Sequence, residues 1–238
     1  MMLKNSRYLV IDFIRGLAIL AMMVYHFVFD LNMQGFIAQD LNNSITWQIA
    51  RSLILGIFLF VAGFSMALAA SQTVKQRLKR LARIFGCALL VSMMSYFMFP
   101  ESWIYFGVLH FVVIASIICW ILMRYEKLLF PLAIAFLVIG FFYQSSIFDQ
   151  PLLQWLGMMT HKPLTEDYVP MLPWLGVMII GIIIGQWSLT SAHHWLLAFA
   201  PTAALNPVQW LGQHSLVTYM LHQPILLGAL CIFGAVYK

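Results

Sequence analysis

Apolar residues fall along this chain in blocks of about 20, the length that carries an α-helix across a bilayer. Seven such blocks can be read: Tyr8–Leu31, Ile45–Ala70, Leu81–Phe99, Trp103–Met123, Leu128–Tyr143, Met171–Trp187 and Val208–Ala235. The stretch His193–Ala204 is weaker and reads as an interfacial helix or an eighth, partial span. The pattern predicts an all-α, polytopic integral membrane helical bundle forming one domain over 1–238. Nothing marks a separate soluble domain, an internal repeat or a low-complexity tail.

Composition agrees with that class. Hydrophobic residues make up 63% of the chain and charged residues 9%, and the mean hydropathy is +0.90, well away from an ordinary soluble domain. Charge placement then orients the helices. With a cytoplasmic N-terminus, Lys4, Arg7, Lys75, Arg77, Lys79, Arg80, Arg83, Arg124 and Lys127 all fall on the inner side, and only Lys162 and Lys238 on the outer. That is the positive-inside pattern. The net charge of +5 needs no nucleic-acid partner, because basic loops can meet anionic lipid headgroups. The first block is read as a retained span, since no small-residue cleavage site follows it. Short loops and a compact length fit a bacterial inner membrane. Cys87, Cys119 and Cys231 all lie within apolar blocks and read as packing residues.

The first block departs from a plain span because it carries Asp12, Arg15, His26 and Asp30. A helix turns about 100° per residue, so the eleven steps from Arg15 to His26 bring both nearly onto one face, about 16 Å apart along the axis. Asp12 precedes Arg15 by three residues and Asp30 follows His26 by four, so all four share a stripe. A charge at the bilayer centre costs roughly 2.5–3.5 kcal/mol and usually faces a polar interior. The stripe therefore predicts a polar path along one helix, starting near the inner membrane surface.

Other polar residues inside spans are candidates to join it. Arg51 opens the second span, and His110 lies in YFGVLHF of the fourth. In WLGQHSLVTYMLHQP, His214, Thr218 and His222 recur every four residues on one face, with Ser215, Tyr219 and Gln223 on the next. Each of these is equally readable as a bundle-interior residue satisfied by a neighbouring helix. His193 and His194 read as a solvated pair. No Cys/His cluster has the spacing of a zinc site, and GxSxG, HExxH and a phosphate-binding glycine loop are all missing.

The chemistry suggested by the stripe is specific. A histidine beside a carboxylate is a poised general base, and Asp30 can serve His26 from i+4. An arginine lining a polar path suits an anionic group such as phosphate. The pair fits a long ligand with an anionic cytoplasmic end and a reactive tip deep in the membrane, as in acyl-coenzyme A.

The segment IDFIRGLAILAMMVYHFVFDLN resembles the first span of the transmembrane acyltransferases, in which an Arg, ten residues and a His form the signature; here these are Arg15 and His26. GIFLFVAGFSMALA, RLKRLARI, YFGVLHF, DYVPMLPWLGVMIIGIIIG and WLGQHSLVTYMLHQP follow in the order of the heparan-alpha-glucosaminide N-acetyltransferase branch. The resemblance implies transfer of an acetyl group from cytosolic acetyl-CoA to a sugar amine or hydroxyl across the membrane. It implies His26 and Asp30 as catalytic residues, with Arg15, Asp12 and Arg51 binding the donor beside the basic run Lys75–Arg83. His110, His222 and Tyr219 are its candidates for acceptor binding or proton relay, and no metal is called for. A homodimer is plausible on the same ground. In the lysosomal animal enzymes the position matching His26 is Asn and the catalytic His follows in the next loop, whereas Phe27–Trp47 holds no His. His26 thus takes its role from the broader signature, and a cell-envelope sugar or small glycan is the expected acceptor class. The competing reading is a small proton-coupled transporter or channel built on the same Asp/Arg/His stripe. The lack of a repeat speaks against it.

Overall fold

The computed structural model describes residues 8–41, 43–190 and 205–236, and every regular element among them is helical. The helices are α1 (Leu9–Met33), α2 (Ile45–Leu68), α3 (Val74–Met98), α4 (Val108–Leu122), α5 (Glu126–Phe142), α6 (Met171–Thr190), α7 (Asn206–Gln213) and α8 (Ser215–Val236). Two short 3-10 turns, Ser146–Asp149 and Gln154–Leu156, interrupt the long connection from α5 to α6. Five helices (α1, α2, α3, α6 and α8) are long and apolar enough to cross a membrane. The expected fourth and fifth spans are shorter, at 15 and 17 residues. Helices of that size reach about 22–26 Å, somewhat less than the ~30 Å hydrocarbon core. The weak stretch His193–Ala204 lies outside the described residues, as do Lys4, Arg7 and Lys238.

Two boundaries differ from the hydropathy pattern, each for a local reason. The basic run Lys75–Arg83 is helix, not loop, and forms the first turns of α3. Thr73 and Gln76 make a reciprocal capping box there: the Gln76 N–H donates to Thr73 Oγ1 at 3.3 Å and the Thr73 N–H donates to Gln76 Oε1 at 2.9 Å. The last block, expected as one span over Val208–Ala235, is broken at His214 into α7 and α8. The imidazole of His214 stacks on Trp210 at 4.5 Å between centroids, and its Nδ1 meets the Trp210 carbonyl at 3.0 Å. The same carbonyl accepts the His214 backbone N–H at 3.0 Å, so backbone and ring of one residue close the last turn of α7. His214 therefore caps α7 and is exposed, and does not extend the stripe of Thr218 and His222.

The chain divides into two compact units, and the boundary falls inside α2, between Val61 and Ala62. The described part of the first unit comprises α1, the N-terminal portion of α2, α7 and α8. Here α7 runs antiparallel to the first turns of α1. Gly16 faces the backbone of Val208, and Gly212 faces the backbone of Asp12 and Gly16 so closely that neither glycine has room for a Cβ. Beyond His214 the chain turns, and α8 follows the second half of α1, His222 against His26 and Gln223 against Asp30. The core of this unit includes Ile11, Ala18 and Ile19.

The second unit holds the end of α2 together with α3 to α6. Gly63 lies against Met178, and Gly185 against Phe64 and Ala67, so α2 and α6 run parallel. Gly140 against Pro173 and Gly176 against Ala133 and Leu137 set α5 antiparallel to α6. Small residues let these backbones approach, which is how helices gain dispersion energy where lipid offers no hydrophobic drive. A polar loop network closes one end. The Asp167 carboxylate accepts the Val108 N–H at 2.9 Å, at the positive end of the α4 dipole. Ser102 donates to Glu166 at 2.6 Å and the Tyr168 hydroxyl donates to the Gln154 carbonyl at 2.6 Å.

Asp149 gives this loop a pH dependence. It accepts the Thr160 N–H and the Thr160 hydroxyl, each at 2.8 Å, and its Oδ1 lies 3.6 Å from His161 Nδ1. The Thr160 N–H, then its hydroxyl, hold the carboxyl below its ordinary 3.8, with His161 adding to the effect. A depressed carboxyl stabilises the fold above its unfolded pKa and loses that contribution as pH falls through the folded value. Protection of the Thr160 amide against hydrogen exchange, taken relative to its intrinsic rate, is expected to fall as pH drops below the usual carboxylate range. In Asp149→Asn this acid-dependent loss of protection should disappear. Equal pH responses of the two proteins would remove Asp149 as the cause.

Candidate active site

The predicted stripe on α1 is present, but its members are held by partners from α7 and α8. Asp12 is buried at 5% exposure, and its Oδ1 accepts Arg15 Nη1 at 3.0 Å. The same Nη1 donates to the Gly212 carbonyl at 3.2 Å, at the C-terminal end of α7. A guanidinium at a helix C-terminus meets the negative end of the dipole, so Arg15 is fixed from both sides. Its side chain keeps 20% exposure, and Arg51 is half-buried on α2 of the same unit.

About 16 Å further along α1 stands His26, half-buried. Its ring lies 4.9 Å from that of His222, tilted by 60°, and edge-on to Tyr25 at 6.0 Å. Tyr25 in turn packs edge-on against Trp47 of α2 at 5.9 Å. His222 is 6% exposed, its ring 5.5 Å from Tyr219, and its Nδ1 meets the Tyr219 carbonyl one turn earlier. The i+4 bond expected between His26 and Asp30 is not formed. Asp30, 1% exposed, instead accepts Gln223 Nε2 at 2.7 Å, across 193 positions of sequence. The physical reason is burial: a carboxylate taken fully out of solvent needs a firm donor, and the side-chain amide of α8 supplies one. Gln223 is the site residue that sequence reasoning passed over, although it stood on a polar face with Ser215 and Tyr219.

His110 is placed differently. It belongs to the second unit, and both of its ring nitrogens are occupied. Nδ1 accepts the Gly107 N–H at 3.3 Å, which caps α4. That leaves the proton on Nε2, which donates to Ser92 Oγ at 3.0 Å, and Ser92 passes its own proton to the Ile104 carbonyl at 2.6 Å. His110 thus joins α3, α4 and the loop between them, a structural employment. In the same unit a crevice lined by Met66, Gln72, Arg77, Arg80, Ser116 and Trp120 opens beside the basic start of α3. Arg77 lies over the Trp120 ring at 5.0 Å and donates to the carbonyls of Ala70 and Gln72. Among the described residues, no group of three or more His, Cys, Asp or Glu side chains is arranged to hold a metal ion.

Five helices of this length and apolarity, with Asp12 and Asp30 buried on one face of α1, mark an integral membrane protein. Residues 7–224 match the model of the family described as heparan-alpha-glucosaminide N-acetyltransferase, catalytic. The chain belongs to this family, and with it to the membrane acetyltransferases. The match runs through both compact units. Searches of curated proteins and of solved structures returned no significant match.

Proposed function

We propose that this protein moves an acetyl group from cytosolic acetyl-CoA to a sugar amine or hydroxyl on the far side of the membrane. The observation that carries the reading is the single helix α1, which presents Arg15 and His26 on one face about 16 Å apart. That separation suits the phosphate end and the thioester tip of a coenzyme A arm. Arg15, held by Asp12 and the Gly212 carbonyl, binds the anionic part of the donor, and Arg51 assists. His26 stands at the acyl carbon, where it takes the acceptor's proton or receives the acetyl group first.

The topology that goes with this function has seven membrane crossings, or eight, with the N-terminus cytoplasmic. The parallel course of α2 and α6 supports it, since the second and sixth crossings must share a direction. We read 1–238 as one transmembrane acyltransferase-like domain in a bacterial inner membrane, working as a monomer or homodimer. A cell-envelope sugar or smaller glycan is the acceptor class.

Donor binding is the test. Protein in nanodiscs should bind acetyl-CoA saturably. Arg15→Ala should weaken binding by tenfold or more, since a charge-assisted contact contributes about 1.5–3 kcal/mol. Arg15→Lys, which keeps charge but loses the fork, should fall between. Absence of acetyl-CoA binding by well-folded wild type would dismiss the acyltransferase reading.

A further inference from the structure

Three buried side-chain atoms at the interface of α1 and α8 have no hydrogen-bond partner among the described residues: Asp30 Oδ2, His222 Nε2 and Gln223 Oε1. Their identities follow from the bonds they do make. The Tyr219 carbonyl can only accept, so the proton of a neutral His222 sits on Nδ1, and Nε2 presents a lone pair. Gln223 spends its amide N–H on Asp30, which leaves its carbonyl oxygen. Asp30 accepts with one oxygen and retains the other. All three are therefore acceptors, and no donor among the described residues answers them. They belong to neighbouring residues, since Gln223 directly follows His222 on α8 and donates to Asp30 at 2.7 Å. Leaving a buried polar group unpaired is costly, so such atoms call for a partner. Three unpaired acceptors on a neutral or negative face define the complementary ligand: a group that donates hydrogen bonds, such as an amine or a cluster of hydroxyls.

We infer that Asp30, His222 and Gln223 form the subsite for the acetyl acceptor, and that His222 Nε2 removes the proton from the amine or hydroxyl being acetylated. The inference rests on the acetyl-transfer reading and decides between the two roles left to His26. With His222 as the base, His26 carries the acetyl group. In the first step a ring nitrogen of His26 attacks the acetyl carbon, the carbon–sulfur bond breaks, and sulfur leaves with the bonding pair. The proton displaced from the acylated His26 ring goes to that thiolate, giving CoA. In the second step the acceptor's lone pair attacks the same carbon while its proton passes to His222 Nε2. The bond from carbon to His26 breaks, and the proton on His222 returns to the departing His26 nitrogen. The 4.9 Å spacing of the two rings suits that return, and both histidines end neutral, His26 with its proton on the nitrogen that carried the acetyl group. Asp30 and Gln223 hold the donor hydrogens of the incoming sugar and set its orientation.

The experiment follows CoA release and acetyl transfer separately in nanodiscs, with D-glucosamine as probe acceptor. In single turnover, His222→Gln should release one CoA per protein at close to the wild-type rate, because the first step does not use His222. Its transfer to glucosamine should fall at least ~100-fold, the usual weight of a general base, since Gln keeps an acceptor but takes no proton. Gln223→Asn, which keeps an amide beside Asp30 but draws its carbonyl back by one carbon, should keep the CoA burst and raise the KM for glucosamine with little change in kcat, which also answers the case in which His222→Gln fails to fold. Wild-type transfer by His222→Gln, or loss of its CoA burst together with transfer, would overturn the assignment, as would an unchanged KM in Gln223→Asn. Failure of wild type to bind acetyl-CoA would instead reject the acyltransferase reading itself.

Discussion

His26→Ala is expected to abolish both CoA release and acetyl transfer while leaving the bundle intact. The loss of activity should reach at least ~1,000-fold, because a group acting on the reacting carbon contributes to every turnover. The fold should survive because His26 is half-buried and its recorded contacts are ring contacts with Tyr25 and His222. Its replacement leaves no buried donor or acceptor of its own behind. Thiol release from acetyl-CoA, measured beside a thermal unfolding curve in the same nanodiscs, separates the two consequences. A folded His26→Ala that still releases CoA at the wild-type rate would move the acyl carbon to another residue. The contrast with Arg15→Ala is informative, since that change should act on donor affinity.

The α1 stripe was legible because it depends only on the 3.6-residue period: Asp12, Arg15, His26 and Asp30 needed no knowledge of tertiary contacts to be aligned. The Asp12–Arg15 bond joins i to i+3 within that stripe, although in the sequence both residues read as donor-binding and not as each other's partner. The partner of Asp30 was not. At i+4 His26 is the obvious local choice, whereas Gln223 lies 193 positions away, and only the path of α8 decides between them. The break at His214 was hidden because WLGQHSLVTY keeps an apolar period through the junction, and a stacked Trp210–His214 cap has no counterpart in hydropathy. The start of α3 was missed for the opposite reason. Its charges look like a loop, and the Thr73-x-x-Gln76 box that fixes the helix carries no apolar signal. His110, readable either as an interior histidine or as a relay, acquires its structural employment from Gly107, three residues earlier, and from Ser92 on α3, 18 positions away, which only the packing of α3 on α4 brings to it.

Replacing Gly212 by Ala is expected to destabilise the protein by about 3 kcal/mol, toward the upper end of the overpacking range. A methyl group there would collide with the Asp12 carbonyl and crowd the Gly16 backbone. These are backbone atoms of a helix, so no side-chain rotation can relieve the clash, and α7 must move away from α1. That movement would take the Gly212 carbonyl from Arg15 and loosen the base of the polar stripe. Gly16→Ala strikes the Val208 carbonyl from the other side of the same contact and should behave alike. Gly228 provides the control, because a Cβ added there meets nothing within 4 Å. Gly228→Ala, free of any clash, should be neutral or stabilising by up to ~1 kcal/mol through helix propensity alone. Thermal midpoints of the three variants in one detergent give the answer. If Gly212→Ala and Gly228→Ala melted together, the close approach of α1 and α7 would not be what holds Arg15. If only the Gly212 and Gly16 variants fell, and acetyl-CoA affinity fell with them, the short helix α7 would be the element that positions the donor end of the site.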